Sequence, residues 1–316
     1  ALIGSKPGAT PSATTPATSA TAPATSSSHG STQGHKRSFS TSSARAFRTL
    51  ISRASTSRSF STSSSSFYTR STAAKVRHMS IYSSVVEEEA QVRKDISVAH
   101  WLTRHYGMDE LQWNHISVKL SDGATVITPG DRMFDDIMPH HLHKSSDNVT
   151  AEIIHAAVYK GRPDVKCIVH LHTPATVAVS CLKQGFRCMA QESAYFHKKV
   201  AYHEWEGLSD DLDEGPRIER AVNGGGGVVP ANVLLMRNHG FCTVGKTVAE
   251  AWVYAYYFNR SCMTQMAVLQ TGAEAIYPKD DVLAHAEMQT RIPEFSAGVE
   301  WAALKRLAAR HGHVVD

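Results

Sequence analysis

The sequence predicts an α/β domain, a mixed sheet covered by helices on both faces, carried behind a long polar N-terminal segment. From Glu87 onward, strand-like runs alternate with segments of helical apolar spacing, and a hairpin signal joins two of the runs directly. Residues 1–86 contrast sharply. They hold no Asp or Glu, carry ten of the chain's 33 Lys/Arg, and are saturated with Ser, Thr and Ala. Such a stretch buries too little apolar surface to offset the entropy of ordering, so it is expected to be disordered, with a folded domain over 87–316.

Within that domain, Glu87 to Tyr106 has the pattern of an amphipathic helix and His115 to Leu120 alternates as a strand. Asp122-Gly123 turns the chain into a second strand, Ala124 to Ile127, closed by Thr128-Pro129-Gly130. Ala151 to Lys160 is helical and Gly161-Arg162-Pro163-Asp164 ends it. A strand over Lys166 to His172 leads into a helix over Thr173 to Lys183. Val200 to Trp205, Asn232 to Met236 and Phe241 to Val244 read as further strands. Thr247 to Leu269 makes a long helix with Trp252 and Tyr256 on one face, and residues from 280 on are helical.

Two segments carry chemistry. In Val169-His170-Leu171-His172-Thr173-Pro174 the histidines stand at i and i+2, so a strand directs both to one face. In Arg237-Asn238-His239-Gly240, a third histidine follows the run Val233 to Met236 and precedes a glycine that permits a tight turn. Three imidazoles from two strand ends, leaving a coordination position open, is what a catalytic divalent metal requires. Two strand-end histidines and an unrelated turn histidine fit the same spacing. His140-His141-Leu142-His143 reads as a surface loop, and Gly224 to Gly227, without a following Lys-Ser/Thr, as a connector.

Charge and cysteine usage narrow the function classes. The whole chain has a net charge of +4, but its basic excess lies in the N-terminal segment and the rest is net acidic, so overall charge supplies no argument for nucleic-acid binding. The Arg-rich, Ser-rich, acid-free segment has the composition of a mitochondrial transit peptide, with Arg45 to Ile51 as its short amphipathic helix. A phosphorylatable low-complexity tail, or initiation at Met79, are the alternatives. The location expected is mitochondrial or cytoplasmic. Cys167, Cys181, Cys188, Cys242 and Cys262 form no Cys-x-x-Cys pair and read as reduced, buried thiols. No apolar run has the length of a membrane span.

Four collinear stretches resemble the class II aldolase/adducin family: Ile154 to Tyr159, Arg162 to Ala175, Val200 to Gly207 and Leu235 to Gly240. The resemblance spans roughly residues 92–272. It implies a three-layer α/β/α fold with a largely antiparallel central sheet. It also implies a zinc-type site at His170, His172 and His239, and a homotetramer with active sites at subunit interfaces. The family's enzymes are metal-dependent lyases, epimerases and dehydratases that act on small hydroxycarbonyl or sugar-phosphate substrates through an enediolate.

The resemblance is incomplete where the family's aldolases hold their acid/base. The position four residues before His155 is Ala151, with Glu152 adjacent and about 100° further round the helix. Glu192 stands where the family places a mobile acid/base group near a subunit boundary, so Glu192 and Glu152 are the candidates for moving a proton. At the family's phosphate-binding positions stand Asn114-His115, Gly130-Asp131 and Val149-Thr150, and Asp131 would repel a phosphate. Arg162 to Cys167, Thr173-Pro174-Ala175 and Ala201-Tyr202-His203 are similar to adducin heads in particular. That branch implies the alternative, a non-enzymatic actin- or cytoskeleton-binding protein with a vestigial metal site. The Lys-rich C-terminal tail on which adducin's membrane-skeleton activity depends has no counterpart before Asp316.

Overall fold

The structure is a computed structural model. It describes residues 70–316 except 146–147, 211, 225–229, 293–295, 314 and 316, with side chains from residue 84. The expected transit-peptide helix, Arg45 to Ile51, and most of Gly224 to Gly227 lie outside the described residues. Helix α1 spans Arg70–His105 and so begins inside the segment expected to be unstructured up to residue 86. No Gly or Pro interrupts the chain from Arg70 to His105, and nothing in that sequence stops the helix earlier. Its second half is tied down by ion pairs of Glu89 with Arg93 (2.7 Å) and Lys144 (2.7 Å).

Strands β1 (His115–Lys119) and β2 (Thr125–Ile127) form the expected hairpin around Gly123, whose φ is +90°. Helix α2 (Val149–Gly161) starts at Asn148, whose side chain accepts from Ala151 N. Strand β3 (Cys167–Leu171) stops one residue short of His172, and α3 (Pro174–Cys181) follows with proline in its first turn. Strands β4 (Val200–His203), β5 (Val233–Met236) and β6 (Gly240–Gly245) complete the sheet, with α4 (Gly215–Val222) between β4 and β5. Helix α5 (Val248–Gln270) opens on Thr247, which accepts from Glu250 N while Glu250 accepts from Lys246 N. Then come α6 (Asp280–Gln289) and α7 (Ala297–Arg310).

The six strands run in the order β2-β1-β3-β6-β5-β4, antiparallel except for the parallel pair β4 and β5. Strand alternation divides the interior into two cores. Val169, Leu171, Val233, Leu235 and Phe241 pack with Leu102, Trp252, Phe258 and Trp301 of α1, α5 and α7. Ile168, Leu234, Met236, Cys242 and Val244 pack with Ile154, Val158, Ile218 and Val222 of α2 and α4. The arrangement is therefore an α/β/α sandwich. Among the described residues no helix is long and apolar enough to cross a membrane. Cys167, Cys242 and Cys262 are buried as expected, whereas Cys181, the last residue of α3, is exposed.

Candidate metal centre

The period of two that sorts the cores also aligns the site. His115 on β1, His170 on β3 and Cys242 on β6 are direct cross-strand partners in one row, on the face that α2 and α4 cover. His172 lies just beyond β3, and His239 sits in the turn between β5 and β6. The structure brings His170, His172 and His239 together: one ring nitrogen of each lies within 4.8 Å of the others. Ring centroids are 4.6 Å apart for His170 and His172, 5.0 Å for His170 and His239, and 4.7 Å for His172 and His239.

The turn that carries His239 departs from expectation. Asn238, not Gly240, takes the left-handed conformation, at φ 55°. The glycine is required for close approach instead: a Cβ at Gly240 would sit 2.6 Å from both His172 Cδ2 and the Leu171 carbonyl oxygen. Arg237, two residues before His239, is itself held in place, donating to the Leu182 carbonyl at 2.7 Å and lying 4.4 Å over the Tyr202 ring.

Hydrogen bonds determine which nitrogens are free. His170 Nδ1 lies 3.1 Å from the Phe241 carbonyl, which only accepts, so Nδ1 carries the proton. His172 Nδ1 lies 2.6 Å from Glu110 Oε2 and donates to it. Burial keeps all three rings neutral. It holds His170 well below the ordinary histidine range and brings His239 down to about 4, and it lowers His172 although Glu110 pulls the other way. Both Nε2 atoms are then bare lone pairs, yet they face each other at 2.7 Å. Two lone pairs at that separation repel unless a cation lies against them, so the donor set fits a divalent ion. Glu110 gave no periodic signal, standing in the loop before β1. Only its contact with His172 reveals it as the carboxylate partner of a histidine of the triad.

Behind the triad lies a buried polar row. His115 stacks on His170 with centroids 4.6 Å apart, and its Nδ1 is 2.7 Å from His155 Nε2 on α2. His155 Nδ1 meets Ser117 Oγ, which is 2.9 Å from the Tyr159 hydroxyl. Of the candidate proton carriers, Glu152 is exposed on α2 and Glu192 is half-buried in the 3-10 turn Gln191–Phe196; neither belongs to the histidine cluster. Ala151 is fully buried. Tyr195 stacks on Tyr257 at 5.3 Å as a packed aromatic, and His203 makes a buried contact of 2.8 Å with Glu214. Pro139–His141 forms a short 3-10 turn at the surface with only Leu142 of its cluster buried.

The residues suspected at the phosphate positions converge in part. Gly130, Asp131 and Val149 line a cleft of ≈ 280 Å³ with Gln112, Trp113 and Asn148. Asn114 is buried beside it in sequence, its Oδ1 accepting from Glu110 N at 2.6 Å, and its Nδ2 has no partner among the described residues.

A mixed six-stranded sandwich with three histidines at its strand ends defines the class. Residues 94–266 match the family model described as the Class II Aldolase and Adducin N-terminal domain, and the chain belongs to that family. A Pseudomonas aeruginosa protein, named provisionally as a class 2 aldolase, is 30% identical over 72% of this chain and 92% of its own length. Human gamma-adducin is 30% identical over 59% of this chain, but only 28% of gamma-adducin is matched. Among solved structures, an aldolase II superfamily protein from Pseudomonas syringae is 27% identical with a TM-score of 0.66, over 74% of this chain and 98% of its own. L-fuculose 1-phosphate aldolase from Glaciozyma antarctica shares the fold at 20% identity and a TM-score of 0.60, over 72% of this chain and 93% of its own.

Proposed function

We propose that this chain is a divalent-metal-dependent lyase, epimerase or dehydratase acting on a small hydroxycarbonyl compound. The observation that carries the reading is the pair of unprotonated Nε2 atoms of His170 and His172 facing each other, with His239 beside them. These three residues would hold the ion, and a three-nitrogen donor set favours zinc. Once bound, the ion supplies Lewis-acid polarisation of a substrate oxygen. Glu110 orients His172 and raises its basicity. Glu192 or Glu152 would move the proton, Glu192 from the edge of a subunit boundary in the homotetramer that the family resemblance implies. Asp131 in the cleft, with no basic residue lining it, favours a substrate tail rich in hydroxyls over a phosphorylated one.

The metal content of the purified full chain tests this, beside a His170→Ala/His172→Ala double variant. About one divalent ion per chain, lost in the variant, is the expected result. A folded wild type that stays metal-free after reconstitution overturns it. The similarity to gamma-adducin favours a second reading, a non-enzymatic cytoskeletal protein, which co-sedimentation with actin filaments would support. For location, the composition of residues 1–86 favours mitochondrial import over retention in the cytoplasm. A fluorescent reporter fused behind the segment reads the difference.

A further inference from the structure

We propose that His105 and His311, at the ends of α1 and α7, form a second metal site that takes an imidazole-seeking divalent ion such as Zn2+ and clamps α7 to α1. The site shares no residue with the histidine triad and does not depend on the reading given to it.

Ser97, Trp101 and His105 are spaced four apart on α1, so they lie along one stripe of the helix. The last turn of α7 is laid on that stripe. His313 Nε2 is 3.0 Å from the Ser97 hydroxyl, and the His313 ring stacks on Trp101 at 5.9 Å. One turn further along α1, Trp101 stacks on His105 with centroids 4.7 Å apart, and His311 lies 5.7 Å from the same indole. Both helices end in the same reversal. Met108 N–H donates to the Thr103 carbonyl and Gly107 N–H to the Arg104 carbonyl; His313 N–H donates to the Ala308 carbonyl and Gly312 N–H to the Ala309 carbonyl. These two reversals, with His313 anchored on Ser97, bring His311 alongside His105.

The result is a pair of exposed imidazoles with ring centroids 5.2 Å apart, inclined at 51°. A tetrahedral ion bonded at about 2.0–2.1 Å to one nitrogen of each of two rings sets their centroids about 5 Å apart. Among the described residues neither ring makes a hydrogen bond or ion pair, so nothing competes for the nitrogens. The field at the site is mixed. The carbonyl ends of α1 and α7 favour a cation and Arg310 opposes it, while Arg104 is drawn to Asp109 and Asp135 at 3.3 Å and 3.7 Å. Selectivity therefore falls to the donor atoms. Two imidazole nitrogens, with the other positions filled by water, suit Zn2+, Ni2+ or Cu2+ and not Ca2+ or Mg2+, which take oxygen. Because both rings are in reach only while α7 is docked, occupancy stabilises the docking.

Acylation of the full-length protein by diethyl pyrocarbonate, read at each histidine by fragment mass spectrometry, tests this. The reagent attacks a free imidazole nitrogen, so a bound ion protects the ring. Zn2+ at up to about 1 mM should slow modification of His105 and His311 together by about tenfold, and Mg2+ should not. In His311→Gln zinc should no longer protect His105, and in His105→Gln it should no longer protect His311. Both positions are exposed, so the variants should fold, with circular dichroism as control. Unslowed modification of both rings in the wild type overturns the proposal. Protection of His105 that survives in His311→Gln overturns it as well, since one ring would then bind without the other. His172 in the same digest reports the triad separately, so either site can fail without the other.

Discussion

Glu110 and His172 stand 62 residues apart and meet at 2.6 Å, carboxylate oxygen to Nδ1. The contact joins the loop before β1 to the end of β3. It also sets the proton on the side of His172 that faces away from His170, so the state of one ring of the triad depends on a residue outside the cluster.

Replacing Glu110 by Gln should therefore weaken metal binding by about 10–100-fold. The fold should not suffer, because the carboxylate is 52% exposed. Competition against a chromophoric chelator, with circular dichroism as control, measures both. Unchanged affinity would remove Glu110 from the site.

Gly240→Ala should damage the centre from the other side. The new methyl would meet His172 Cδ2 and the Leu171 carbonyl, each at 2.6 Å, and one of them is backbone. A stability loss of about 1–3 kcal/mol is expected, together with reduced metal content. An alanine variant with full metal occupancy would show that the turn can give way without moving His172.

The cleft lined by Gly130, Asp131 and Val149 makes a prediction about charge. None of the six residues lining it is Lys, Arg or His, and Asp131 is exposed there. A phosphate about 4 Å from that carboxylate is repelled by roughly 1 kcal/mol per charge pair in water, and more where water is partly excluded. Dihydroxyacetone should bind the metal-loaded protein at least as well as its phosphate ester, and Asp131→Asn should improve the ester selectively. Calorimetric titration reads both. A wild type that prefers the ester would reverse the assignment.

Acid should destabilise the metal-free protein before its carboxylates titrate. Burial lowers His100 and His155 to about 3 each, so both stay neutral in the native state while the unfolded chain protonates them near pH 6.5. The unfolded state then binds more protons, and stability falls as pH drops below about 6.5. Each histidine contributes a slope of about 1.4 kcal/mol per pH unit until its folded value is reached. Urea unfolding midpoints at pH 7.5, 6 and 5 in the presence of chelator check this. A flat profile would mean that the two rings are not buried neutral.

Much of this was legible in the chain. Alternation marked β1, the Asp-Gly turn marked β2, and short apolar runs marked β3 and β5, each to within a residue or two, because a strand covered on both faces leaves an apolar run whatever it pairs with. His170 and His172 were legible for the same reason, since their i, i+2 spacing is local. Other features were not. The start of α1 at Arg70 falls in a stretch whose Ser/Thr/Arg composition pointed to disorder, and the need for Gly240 arises from Leu171 and His172, not from its own φ.

What the sequence determined alone was which elements form and which side chains share a face, since both follow from backbone geometry over a few residues. What the tertiary structure decided was which faces meet. Strand order set His115 against His170, and α2 brought His155 over Ser117. The loop before β1 carried Glu110 to His172. Proton positions in the site follow from those long-range contacts, because a buried imidazole takes its tautomer from whatever lies across the fold from it.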